Sequence, residues 1–168
     1  QDGDFNTNFQ TQNGDGNSAF SDQEGDSNLS IENQNGNTNG STVAQTGNNN
    51  FNETLQWGSD NSSNTTQTGN SNVSYTHQGF FSGNQMRNSA TTTQTGDNND
   101  SHIDQYAAAT GWSDDNTSIV SQTGDNNDAY NWQAGDFNRS RITQTGDNND
   151  GRAIQRGNAN TSNIIQTG

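Results

Sequence analysis

The chain has 168 residues, 21% of them hydrophobic, with 19 acidic against five basic side chains, a net charge of -14 at pH 7, and neither Cys nor Pro. Those values exclude disulfide staples and thiolate metal sites, a membrane helix, which needs about 20 apolar residues in a row, and nucleic-acid binding through a positive field. With a mean hydropathy of -1.28 the composition lies beside intrinsic disorder, so an isolated copy is expected to stay disordered until stacking orders it.

A fixed repeat outweighs that composition. Gln recurs every eleven residues from Gln1 to Gln78, again at Gln94 and Gln105, and from Gln122 to Gln166. From Gln12 onward the residue six before each Gln is Asn, the residue four before is small or polar, and Gly stands two after the Gln in thirteen of fifteen cases. The Asn, the small residue, the position two before Gln and the Gln itself alternate by two, which puts all four on one face of a strand. The residues around the Gly form a tight reversal. Only Gln45, Gln67, Gln94, Gln122, Gln144 and Gln166 are followed by Thr-Gly, so the full unit is strand, turn, strand, turn over 22 residues.

In chain order the units predict an all-β, two-sheet β-solenoid of cross-β type, a single domain of about seven rungs. Rung 1–22 carries Gln12 and Asn17, and rung 23–44 carries Gln23, Asn28, Gln34 and Asn39. Rung 45–66 follows with Gln45, Asn50, Gln56 and Asn61, and rung 67–93 with Gln67, Asn72, Gln78 and Asn88. Rung 94–121 holds Gln94, Asn99, Gln105 and Asn116, and rung 122–143 holds Gln122, Asn127, Gln133 and Asn138. Rung 144–165 holds Gln144, Asn149, Gln155 and Asn160, before a stub 166–168 that opens with Gln166. These Gln and Asn columns are the expected core, in which each amide pairs with its copy one rung away. Val43, Val120, Ile142 and Ile164 are expected to face inward with Thr65 and Thr92. An edge of unpaired strands and amides at either end of such a stack recruits another chain, and contact between unlike ends generates a filament.

The segment Gln12-Asn13-Gly14-Asp15-Gly16-Asn17-Ser18-Ala19-Phe20-Ser21-Asp22-Gln23 resembles the curlin repeat of curli fibre subunits, and the likeness extends over nearly the whole chain. The resemblance implies a secreted bacterial functional amyloid that builds extracellular biofilm fibres and supports adhesion. It also implies export unfolded through a dedicated outer-membrane pore and nucleation by a minor homologue. The start at Gln1 is read as a mature product freed of a secretion signal.

Two connections depart from the repeat. Gln78 to Asn88 and Gln105 to Asn116 are longer than the rest and carry Phe80, Phe81, Met86, Tyr106 and Trp112; both follow the same sheet in consecutive rungs and are expected to protrude side by side. The turns 94–100, 122–128 and 144–150 repeat Gln-Thr-Gly-Asp-Asn-Asn-Asp, which stacks Asp97 over Asp125 over Asp147 and Asp100 over Asp128 over Asp150. Such columns read either as solvated gatekeepers against premature assembly or as a Ca2+ ladder of oxygen ligands, the latter belonging to an alternative function as a monomeric adhesin. Thr66, Thr68, Thr93, Thr95, Thr143 and Thr145 raise a second alternative, an ice-binding solenoid, in columns that Ala44, Ser121 and Ile165 interrupt. The outer face of the other sheet collects Leu29, Phe51, Val73, Leu55 and Trp132, among others, as candidates for lateral contact between fibres. His77 and His102 fall on outward strand positions and are expected to be solvated, with no nucleophile beside them; no enzymatic activity is expected.

Overall fold

The computed structural model describes residues 1–79, 87–106 and 115–168. It holds fourteen strands: β1 (Thr7–Asn13), β2 (Ser18–Glu24), β3 (Leu29–Asn35), β4 (Gly40–Thr46), β5 (Phe51–Trp57), β6 (Ser62–Thr68), β7 (Val73–Gln78), β8 (Ser89–Thr95), β9 (Asp100–Tyr106), β10 (Thr117–Thr123), β11 (Asp128–Ala134), β12 (Arg139–Thr145), β13 (Asp150–Arg156) and β14 (Thr161–Thr167). Odd strands stack into one seven-stranded sheet and even strands into another, in sequence order. Every pair is parallel and in register, Gln against Gln, as in Gln34 on Gln56 and Gln122 on Gln144. The chain is a two-sheet β-solenoid with rungs of 22 residues, lengthened where the two insertions fall. Each strand begins one residue after the Asn and ends one after the Gln, except β7, which ends at Gln78 itself.

The interior is predominantly polar. Its wholly or nearly buried apolar side chains are Val43, Ala90, Ile103, Val120, Ala129, Ile142 and Ala153, and buried Gln, Asn, Ser and Thr make up most of the rest. The expected inward set is in place: Val43, Thr65, Thr92, Val120 and Ile142 are buried and Ile164 packs against the apolar cluster. Several interior hydroxyls, among them Ser63, Ser74 and Ser140, find no hydrogen-bond partner. That position therefore accepts Ala as readily as Ser, which is why Ala90 and Ala129 share it.

The turns explain the Gly. Gly47 and Gly69 have φ of 116° and 115°, a region that disfavours other residues, but φ is the lesser constraint. A Cβ on Gly47 would run into the carbonyl oxygen of Gly69 in the next rung, and one on Gly69 into that of Gly96. The turns thus stack so closely that any side chain there would separate the rungs. Where the short turn is kept, the residue just before the Asn also sits at positive φ, between 56° and 63° at positions such as Ser71, Asn98 and Asp60, a modest cost that small polar residues tolerate best.

The two insertions leave β7 and β9, which are neighbours in the odd sheet, so they emerge from adjacent rungs as expected. Phe80, Phe81, Met86 and Trp112 lie outside the described residues. Where the chain returns, Arg87 donates from Nε to Oδ1 of Asp115 at 2.7 Å and from a second nitrogen to Oδ2 at 2.8 Å, a two-point clasp between the feet of the insertions.

Gly47→Ala is expected to destabilise the fold by roughly 1–3 kcal/mol through strain at positive φ, with the carbonyl clash in addition. Gly40→Ala is the control, since a Cβ there meets nothing within 4 Å, and it should be neutral or stabilising by about 0.5–1 kcal/mol. Denaturant midpoints of the two variants measure the difference, and equal midpoints would refute the turn-packing account.

Candidate functional site: the amide columns and the outer sheet face

The Gln columns run unbroken through both sheets. In the even sheet Gln23 donates to Gln45, Gln45 to Gln67, Gln67 to Gln94, Gln94 to Gln122 and Gln122 to Gln144, all at 2.8–3.0 Å. Gln144 continues the column to Gln166. In the odd sheet Gln12, Gln34, Gln56, Gln78, Gln105, Gln133 and Gln155 do the same at 2.8–2.9 Å. The same Nε2 donates a second time, to the first carbonyl of the strand on the opposite sheet: Gln45 to Leu29, Gln67 to Phe51 and Gln78 to Ser62. Each Gln of the columns from Gln23 to Gln144 therefore joins rung to rung and sheet to sheet with one amide.

The Asn columns work in the corners. Asn50 donates from its backbone N and its Nδ2 to Oδ1 of Asn28, and from Nδ2 also to the carbonyl of Gly69. Asn72 and Asn99 repeat the pattern onto Gly96 and Gly124, so Asn ties the same carbonyl that forbids a Cβ on Gly. Asn17, Asn39, Asn61, Asn116, Asn127, Asn138, Asn149 and Asn160 extend these columns. Asn88 donates its backbone N–H to Asn61 Oδ1 and accepts that of Asn116 on its own Oδ1 but leaves Nδ2 unpaired, at the rung whose following turn is replaced by the second insertion.

The acidic columns stack as expected, and in the Asp97 column one oxygen of each carboxylate is already engaged. Asp97 Oδ1 accepts the backbone N–H of Asn70 at 2.7 Å, Asp125 that of Asp97 and Asp147 that of Asp125, both at 2.8 Å. Asn48 and Asn70 do this in earlier rungs, so Asp and Asn are interchangeable caps of the turn above. Asp100, Asp128 and Asp150 are register partners. Burial first, and the next Asp second, push the carboxyls of Asp100 and Asp128 above the ordinary carboxylate range.

Sequence reasoning passed over Glu32, although its place two before Gln34 marks it as inward. It is 1% exposed, accepts from Gln10 at 3.1 Å and leaves its second oxygen unpaired. Burial pushes its carboxyl above the ordinary 4.5, and nearby polar side chains, Ser41 first, recover only part of the shift.

On the outer face of the odd sheet the apolar set is only partly exposed. Leu29, Phe51, Leu55, Val73 and Trp132 are half-buried, while Phe9 and Ile154 are 60% and 50% exposed. Side chains there cover one another: Phe51 on Tyr75, Tyr75 on His102, His102 on Tyr130 and Tyr106 on Trp132, with ring centroids 5.3–6.4 Å apart. Arg152 lies over the Tyr130 ring and Arg156 over Trp132, each at 5.1 Å. The two histidines are not the solvated residues expected. Their side chains are 20% and 35% exposed, and both point at Asp104, itself only 8% exposed. Burial alone would raise the Asp104 carboxyl, but hydrogen bonds from His102, His77 and Tyr106 hold it well below the usual range. For His77 burial acts downward, and the bonds and charges of Asp104 and Glu53 outweigh it, so its pKa is raised. Tyr106 is pushed up by burial and by the Asp104 charge.

Two outcomes are expected from the columns. Gln67→Leu removes the acceptor of Gln45 and the donor to Gln94 and Phe51, at about 1–3 kcal/mol for each buried partner stranded. A loss below that range, read from denaturant midpoints, would sink the ladder account. Because the folded chain holds a proton on Glu32 more readily than the unfolded chain, this residue's contribution is full below 4.5 and is lost as pH rises through the raised value. Glu32→Gln should therefore be more stable than the parent at neutral pH, with the gap closing toward about pH 4; a gap that widens on acidification would reverse the assignment.

No curated protein and no solved structure matches the chain. The family model described as the curlin associated repeat matches residues 114–146, a span that takes in β10, β11 and β12. The unit matched there is the one whose columns run through the described rungs on either side, so the chain is built from curlin-like repeats.

Proposed function

We propose that the chain is the structural subunit of a secreted, extracellular functional amyloid fibre, which self-assembles head to tail, builds biofilm matrix and supports surface adhesion. One observation carries the reading: each rung offers the next an identical set of backbone and amide groups, in parallel register, with Gln on Gln and Asn on Asn. A rung of another copy presents that same set, so the contact that joins rungs within one chain also serves between chains. The polar interior supports it too, since stability drawn from ladders is gained only against a neighbouring rung. The curlin associated repeat, a repeat of extracellular fibre components, supports secretion and a structural rather than enzymatic role. The partners this reading requires are further copies, a minor homologue that nucleates them and an outer-membrane pore that exports the unfolded chain.

Denaturant-free monomer followed by thioflavin fluorescence and electron microscopy tests the proposal. Sigmoidal growth into unbranched fibres, with the lag abolished by preformed fibre fragments, is expected. A folded β-protein that stays monomeric through seeding would overturn it.

A further inference from the structure

The strongest unassigned chemistry lies outside the ladders. His77 stands in register opposite Asp104 on the adjacent strand, and His102 precedes Asp104 by two residues on the same pleated face. His77 Nδ1 and His102 Nε2 each lie 3.1 Å from the same oxygen, Asp104 Oδ1, and the three candidate ligand atoms all fall within 4.8 Å of one another. Among the described residues this is where three such side chains converge.

We propose that His77, His102 and Asp104 form a binding site for a divalent transition-metal ion, Zn2+ being the ion whose geometry the spacing meets. Bonds of about 2.0–2.1 Å at tetrahedral angles set neighbouring ligand atoms roughly 3.3 Å apart, close to the 3.1 Å of the two His–Asp pairs, while the two imidazole nitrogens lie within 4.8 Å of each other. Two imidazoles and one carboxylate leave a fourth position for water or an incoming donor. The imidazoles also make the site unsuited to Ca2+, which takes oxygen ligands.

The surroundings supply what a bound imidazole needs. His77 Nε2, the nitrogen turned away from the site, is 3.2 Å from Glu53 Oε1, the carboxylate partner that fixes the tautomer and ring plane of a metal-ligating His. Tyr130 donates to Asp104 Oδ2 at 3.3 Å and Tyr106 to Oδ1 at 2.9 Å, holding the carboxylate in place. Glu53, Tyr106 and Tyr130 are thus positioning residues. The rings of Tyr75 and Tyr130 flank His102 at 5.5 and 5.3 Å, so the ligands are packed before an ion arrives. In the metal-free state His77 lies between two carboxylates, Asp104 and Glu53; a ligating imidazole nitrogen must be free of its proton, so metal binding is coupled to proton release.

The full chain contains two histidines, which makes the test direct whether the protein is a fibre or a monomer. ZnCl2 is titrated into the folded protein while the imidazole resonances are recorded by NMR, and metal retained after washing is counted. Both histidines are expected to shift together and saturate with a single ion per chain, and Co2+ in its place should give the visible absorption of a four-coordinate centre. His102→Phe, which keeps a ring between Tyr75 and Tyr130, should abolish retention, and Glu53→Ala should weaken it by about 10–100-fold. Unshifted histidines in the parent protein would overturn the site without any variant, as would Zn2+ retained by His102→Phe or lost instead from Asp97→Asn.

Discussion

A buried amide must find partners, and here the partner is its own copy one rung away. That requirement governs the rest of the structure. It demands parallel, in-register strands, because only then does Gln45 meet Gln67 and Asn28 meet Asn50. It demands connections that return each strand to register, whether short or lengthened by an insertion, and short turns that stack without spacers, hence Gly wherever a Cβ would strike the next carbonyl. It also frees the interior from a need for hydrophobic volume, since the intervening positions accept Ser, Thr, Ala, Val, Ile and even Glu32 so long as the columns hold.

Much of this was legible in the sequence because the ladder is written as a period. The two sheets, the rung length, the inward face and the stacking of Asp97, Asp125 and Asp147 all follow from a register that a reader can count. Three features did not, each for a physical reason. The close approach of Gly47 to Gly69 depends on the distance between turns, which a period does not convey. Glu32 was countable as inward, but a carboxylate in a core conflicts with its usual place at the surface. The meeting of His77 with Asp104 was hidden by the first insertion, which separates register partners by 27 residues rather than 22. Outward residues were read as solvated because alternation assigns a face, whereas exposure on that face depends on neighbours large enough to cover it, here Tyr75, Tyr106, Tyr130 and Trp132.

The division of labour between the two sides of the strands bears on function. The Gln and Asn columns of the inner face repeat in every rung and give cohesion; the outer face varies from rung to rung and can carry chemistry without disturbing the stack. Proposed polymerisation uses the first and the proposed metal site the second, so in a fibre each copy would display its outer face once per seven rungs, on a scaffold indifferent to what is displayed.

The two amide columns also differ in direction. Gln side chains donate toward higher residue numbers, Gln23 to Gln45 and onward, whereas Asn side chains donate to the ladder toward lower ones, Asn50 to Asn28. Their dipoles therefore oppose one another within every rung. An α-helix accumulates partial charge at its termini because its peptide dipoles align; here the two ladders run in opposite senses, so their axial contributions offset one another in part. Extension thus builds less axial field from its amides than two columns aligned in one direction would.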